Sequence, residues 1–186
     1  MRLFIAVNFD EKTLNNIYKE VNSLKDQSLK GKFVHKEHIH LTIEFLGEVQ
    51  DEKVKEIQKM IFNTHFDPFE IVISGLGVFH NKHGDIYWLG VKENEDLSKL
   101  YNDIHYRLEQ MDLKVQDRDY TPHITLGRNV VLRDKLEKID FTDFSCMVEQ
   151  ISLFKSFNDE NRLIHEIIAE SKRDKTFRAK KQIKGN

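Results

Sequence analysis

The chain is poor in cysteine, has no long apolar run, and carries no large excess of charge of either sign. Its single cysteine, Cys146, rules out an intramolecular disulfide framework and a multi-cysteine zinc site, and it fits a reducing compartment. The apolar stretch Leu3-Phe4-Ile5-Ala6-Val7 gives way to polar residues at Asn8, too soon for the apolar segment of a signal peptide and far too soon to cross a membrane. It reads as a first strand, and the protein is expected to be cytoplasmic with no membrane partner. Lys and Arg number 29 against 31 Asp and Glu, a formal charge of −2. Such a balance gives no global attraction to nucleic acid, so any contact with RNA has to come from a local patch. This argues against a non-specific coater of long RNA and leaves room for an enzyme that grips one terminal phosphate. With 186 residues, the chain can bury a core as one large domain or two small lobes without a staple. Nothing in it demands more than a monomer.

What is present is a regular alternation of elements. After the first strand, Asp10 can cap a helix whose apolar positions Leu14, Ile17, Val21 and Leu24 recur at helical spacing, up to a turn near Gly31. Phe33 and Val34 lead into a strand from His40 to Leu46 that stops near Gly47. A second helix follows, with Asp51 as a possible cap and Val54, Ile57 and Ile61 on one face, ending before Pro68. Phe69 to Ile73 reads as a strand, Asn81 to Asp85 as a turn, and Ile86 to Val91 as another strand. Leu97, Leu100, Tyr101, Ile104 and Leu108 mark a third helix, and a polar loop from Gln116 to Asp119 precedes a strand at His123. Leu132 to Leu136 reads as helix-like, and Met147 to Phe157 and Leu163 to Ala169 as strands joined at Asn158 to Asn161.

The two halves match. Both show strand, helix, strand, helix, strand, and the separation of Leu3 from His40 equals that of Ile86 from His123. Phe69 to Ile73 aligns best with Met147 to Ile151 at a slightly different offset, as loop length changes allow. The pattern predicts an α+β fold of two pseudo-symmetric lobes of antiparallel sheet flanked by helices, with the active site in the cleft between them. Residues 1–171 are expected to form one bilobal domain, with pseudo-repeats of about 1–80 and 81–171. Residues 172–186 form a basic tail with Lys172, Arg173, Lys175, Arg178, Lys180, Lys181 and Lys184, either a solvated end or an arm that tracks an RNA backbone.

Equivalent positions in the halves carry His40-Leu41-Thr42-Ile43 and His123-Ile124-Thr125-Leu126. In an extended chain residues i and i+2 share a face, so each segment has an apolar back and a front with one imidazole and one hydroxyl. Two imidazoles suit a phosphodiester, because their ordinary pKa near 6.5 lets one act as base and the other as acid at neutral pH. Each hydroxyl can donate to a non-bridging phosphate oxygen. No metal and no cofactor is then required. Arg128 follows Gly127, which can bend the chain and free the guanidinium to reach a phosphate or leave it as a plain surface arginine.

These paired motifs resemble the 2H phosphoesterase superfamily, and within it the bacterial RNA 2′,3′-cyclic phosphodiesterases, also called 2′-5′ RNA ligases. The likeness extends over Arg2-Leu3-Phe4-Ile5-Ala6, His40 to Val49, Trp88-Leu89-Gly90 and Pro122 to Arg128. The resemblance implies a bilobal fold with both motifs in a central groove and metal-independent opening of a 2′,3′-cyclic phosphate to a 2′-phosphomonoester. It also implies His40 as proton donor to the 3′ leaving oxygen and His123 as the base on water, with Thr42 and Thr125, and Arg128 beside them, binding the phosphate. The partners it implies are RNA termini or small cyclic nucleotides. Two departures stand out. Phe33 occupies a position where relatives carry Trp, and Glu44, on the same face as His40 and Thr42 in an unbent strand, would repel a phosphate and is expected to twist toward the rim.

Other readings remain open from the sequence. The same residues could join RNA ends through a 2′-5′ bond, act on other cyclic or 2′-5′-linked nucleotides, or belong to a non-catalytic module that binds RNA ends. His38 and His40 share a face, and with His35 they invite a metal reading, although the second motif has no matching cluster. His80 and His83 flank a turn, and Phe79, Tyr87 and Tyr120 are possible platforms for a base.

Overall fold

The computed structural model describes residues 1–82, 84–115, 119–134, 141–160 and 162–172. The basic tail from residue 173 onward, His83, and residues 116–118 of the polar loop lie outside them.

Strand β1 (Arg2–Val7) is the spine of the first sheet. Its order is β3-β1-β8-β9, where β3 is Leu41–Glu48, β8 is Ile151–Asp159 and β9 is Arg162–Glu170. The second sheet has the order β2-β6-β5-β4-β7, with β2 at Ser28–Phe33, β4 at Phe69–Phe79, β5 at Asp85–Val91, β6 at His123–Leu132 and β7 at Phe144–Val148. Every pairing is antiparallel. β5 lies between β6 and β4 as β1 lies between β3 and β8, which is the expected pseudo-symmetry. Each sheet, however, draws on both halves of the sequence: β8 and β9 complete the first, and β2 and β4 join the second.

Local chemistry makes the helices. Asp10 accepts from Thr13 N at 2.8 Å and opens α1 (Glu11–Asp26), which buries Ile17, Val21 and Leu24. The cap residue of α2 (Asp51–Phe62) is Gln50, not Asp51, which instead places its charge in the first turn next to the helix's positive end. Asn94 accepts from Leu97 N at 2.9 Å to cap α3 (Glu95–Glu109), whose buried side is Leu97, Leu100, Ile104 and Leu108. The helices cross over: α1 packs on β2 and β6 of the second sheet, and α3 packs on β3 of the first.

β1 is buried on both faces, which is why it reads as an uninterrupted apolar run. Leu3, Ile5 and Val7 join the main core, while Phe4 and Ala6 pack with Phe154 and Phe45 on the other face.

Several local expectations give way to tertiary pairing. Gly31 lies inside β2 and not at a turn, because β6 pairs with this segment. β4 runs six residues beyond the expected end at Ile73, bending at Gly75, whose φ of +70° suits glycine. The stretch from Met147 to Phe157 is two strands, β7 and β8, which part at Glu149 and Gln150 and enter different sheets. Leu132 closes β6, and residues 135 and 136 of the helix-like segment are outside the described residues, as is Asn161 of the last turn. Among the described residues no helix is long and apolar enough to cross a membrane.

Candidate active site

His40 immediately precedes β3 and His123 opens β6. Their surroundings are built alike. His40 Nδ1 lies 2.7 Å from the carbonyl oxygen of His38, and His123 Nδ1 lies 2.7 Å from that of Thr121. A carbonyl oxygen only accepts, so in both rings Nδ1 carries the hydrogen and donates it. Nε2 is left as the nitrogen that takes or gives a proton at the substrate.

Each imidazole also rests on two aromatic rings from the central strands of its own sheet. Phe4 and Phe154 stack at 4.8 Å, and the His40 ring lies 4.8 Å from Phe4 and 6.2 Å from Phe154. On the other side Phe79 and Trp88 lie 4.9 Å apart, with His123 at 5.1 Å and 5.9 Å from them. Gly77 makes the second pair possible. A Cβ there would lie 2.2 Å from Trp88 Cζ2, so only glycine lets the indole lie flat across β4.

A shared irregularity decides which way the motif residues point. Thr42 pairs with Ala6 and Glu44 with Ile5, so the ladder passes over Ile43. Likewise Thr125 pairs with Trp88 and Gly127 with Tyr87, passing over Leu126. One unpaired residue reverses the alternation of faces. Glu44 therefore turns away from His40 and Thr42, and it is 6 % exposed, with Oε2 2.7 Å from His105 Nδ1. It is not twisted to the rim as the sequence suggested. The same reversal returns Arg128 to the side of His123 and Thr125, the position that Phe45 holds in the first motif. Gly127 takes the core side, where the Phe33 and Val130 side chains leave no room for a Cβ. Phe33 is thus packed on the second motif, opposite Gly127 in the ladder.

The halves meet through the motifs. Tyr120 donates to the backbone oxygen of Thr42 at 3.0 Å, and Val34 N donates to Leu126 O at 2.9 Å. Burial lowers the His40 pKa to about 4, helped by the neighbouring His165 and His38 and by the Arg128 guanidinium, whose charge reaches it from the other sheet. His165, on β9, is also lowered to about 4 by burial, His38 and Arg2. Its ring lies 5.5 Å from His40 and 4.6 Å from His38. Among the described residues the Thr42 and Thr125 hydroxyls have no hydrogen-bond partner in the protein.

The remaining sequence candidates separate. Among the described residues no three His, Cys, Asp or Glu side chains stand together as a metal site. His80 pairs with Asp85 at 3.2 Å on an exposed turn. Phe79 belongs to the His123 support, Tyr87 is buried at 7 % exposure, and Tyr120 is at the seam between halves. The supports Phe4 and Phe154 and the flanking His165 went unnoticed in the sequence. Phe4 alone left a signal, since it shares a strand face with Ala6, the partner of Thr42.

A family model for the 2′-5′ RNA ligase superfamily matches residues 14–160, a span that contains both motifs. The chain belongs to the 2′-5′ RNA ligase superfamily. Among its relatives in the superfamily, the RNA 2′,3′-cyclic phosphodiesterase of Methanocaldococcus jannaschii is 35 % identical over 182 residues, covering 91 % of this chain and 99 % of the relative. That of Thermotoga maritima is 29 % identical over 177 residues, covering 91 % and 94 %. The crystal structure of Escherichia coli LigT complexed with 3′-AMP shares the fold, with a TM-score of 0.78, 23 % identity, and coverage of 91 % of this chain and 95 % of that one. The superfamily fold is the α+β arrangement of two antiparallel sheets expected from the sequence.

Proposed function

We propose that this 2′-5′ RNA ligase superfamily member is an RNA 2′,3′-cyclic phosphodiesterase that opens the cyclic phosphate to a 2′-phosphomonoester by two-histidine acid–base catalysis, without a metal. The enzyme class follows from the family and from relatives of that name. The observation that carries the mechanism is the matched setting of His40 and His123, each with Nδ1–H spent on a carbonyl and Nε2 left for chemistry.

In this reading the cyclic phosphate sits between the two Nε2 atoms. His123 takes a proton from water as the water oxygen bonds to phosphorus, and the bond from phosphorus to the 3′ oxygen breaks. His40 gives its proton to that oxygen, and the phosphate stays on the 2′ oxygen. Thr42 and Thr125 donate to the non-bridging oxygens, and Arg128 offsets their charge. The substrate class is an RNA terminus or a small 2′,3′-cyclic nucleotide. Each proton-transfer role contributes about 10²–10⁴-fold in rate.

One observation favours the opposite assignment of roles. Burial keeps His40 neutral at pH 7 in the free protein, the state of a base. An anionic phosphate in the cleft reverses this, because a negative charge beside the ring favours its protonated form, so His40 becomes an acid as the substrate binds.

A substrate whose leaving group is nitrophenolate needs no acid, and so separates the roles. His40→Ala and His123→Ala are each expected to lower turnover of 2′,3′-cyclic AMP at least 100-fold with the fold intact, and excess chelator to leave the wild type fully active. On a nitrophenyl phosphodiester His40→Ala should regain activity and His123→Ala should not. The reverse pattern would exchange the roles. Loss of wild-type activity in chelator would overturn the metal-free mechanism, and full activity of both variants the two-histidine one.

A further inference from the structure

Glu44 has no part in the reaction, yet it is a buried carboxylate two residues from Thr42. Its partner His105 is on α3, in the other half of the sequence, and the Nδ1 to Oε2 distance is 2.7 Å. A buried carboxylate is costly to hold without such a partner, so this contact pins α3 against β3. One turn earlier on α3, the Tyr101 hydroxyl lies 3.4 Å from the same His105 nitrogen. The Tyr101 ring lies flat on Tyr120, with centroids 4.1 Å apart and 4° between the planes. Tyr120 then donates to the carbonyl oxygen of Thr42 at 3.0 Å. Burial pushes the Tyr120 pKa well above its ordinary value, with Tyr101 and Glu44 adding to the effect, so the phenol keeps its proton and remains a donor.

The contacts thus leave β3 at Glu44, pass through three side chains of the other half, and return to β3 at Thr42. They bracket Ile43, the residue that the β1 ladder passes over. At this point the strand is least held by its own sheet, and it is here that the second half grips it. Tyr120 is also three residues before His123, so the hydrogen bond ties the backbone of one motif to the approach of the other.

We propose that Glu44, His105, Tyr101 and Tyr120 form a clamp that sets Thr42 against the second motif, with Tyr120 as its positioning residue. The proposal rests on the reading of Thr42 as a phosphate-binding residue. The clamp touches no substrate. It acts by holding the Thr42 hydroxyl where the phosphate oxygen arrives, and small displacements of such groups weigh heavily on rate.

Tyr120→Phe keeps the ring and its stack on Tyr101 and removes only the donor. With 2′,3′-cyclic AMP as probe, it is expected to lower kcat about tenfold, to change KM less than threefold, and to leave the melting temperature nearly unchanged. In a Thr42→Ala background, itself slowed, Tyr120→Phe is expected to cost less than twofold, because a residue that acts through Thr42 has nothing left to position. Glu44→Gln, which leaves an uncharged amide of the same shape, should follow the same pattern with a smaller loss. Equal losses from Tyr120→Phe in both backgrounds, or none in the wild type, would overturn the clamp alone. Full activity of Thr42→Ala would overturn the phosphate-binding reading, and the clamp with it.

Discussion

His40 and His165 are two imidazoles whose proton affinity folding has lowered, from the ordinary 6.5 to about 4 in both, with burial as the leading cause. The consequence for stability has a definite sign. Between pH 6.5 and 4 the unfolded chain binds these protons and the folded protein does not, so stability falls as pH is lowered through that window. Above 6.5 both states are neutral at these rings and the effect is absent. Thermal unfolding is therefore expected to move to lower temperature from pH 7 to pH 4.5, and His165→Phe, which keeps a ring but cannot titrate, should flatten that decline. A slope unchanged by the substitution would contradict the assignment. Bound phosphate should raise the melting temperature more at pH 5.5 than at pH 8, because the anion favours the proton on His40. The lowering was not legible in the sequence, since His165 and Phe154 reach His40 from strands far along the chain.

The strands carry the next level of control. Strict alternation along β3 assigns Glu44 to the face of His40 and Thr42, and along β6 it assigns Arg128 to the face of Leu126. Both assignments fail for one reason: the ladder omits one residue in each strand, Ile43 and Leu126, and the faces exchange beyond it. The motif itself, His-x-Thr, lies before the gap and was read correctly from its period of two. Strand β4 supplies a test of how far one element supports another. Gly77→Ala places a methyl against the Trp88 ring, with no room between them. The indole is expected to lift off β4 and disturb the His123 ring that rests beside it. The expected outcome is a destabilisation of about 1–3 kcal/mol, the usual cost of overpacking, with a larger loss in kcat than in substrate affinity. Trp88 is the only tryptophan, so its fluorescence reports the displacement directly. An unchanged spectrum with reduced activity would show that the loss arises elsewhere.

At the scale of the molecule the two pseudo-repeats exchange parts. The first sheet needs β8 and β9, and the second needs β4 from the first half as the neighbour of β5 and β7. The helices cross between sheets in the same way. We propose from this interleaving that residues 1–171 behave as one bilobal domain. Residues 1–80 expressed alone would leave β1 without β8 on one side, and β4 without both of its neighbours. They are expected to remain unfolded by circular dichroism, and co-expression with 81–186 to restore a single cooperative transition. Independent folding of 1–80 would show that the lobes are separable.

The sequence by itself determined the helices, through caps and spacing that act within a few residues, and the central strands, through runs of apolar side chains. It also determined the pair of motifs, because duplication brings equivalent residues to equivalent places in each half. Those are local or repeated properties, and they survive whatever the chain packs against. The tertiary structure decided what depends on partners distant in sequence: which sheet β7 and β8 enter, where each ladder omits a residue, which aromatic rings support each imidazole, and the company of Glu44. A carboxylate that local alternation would set against the phosphate is buried beneath Thr42 instead, because pairing with β1 turned the strand over at Ile43.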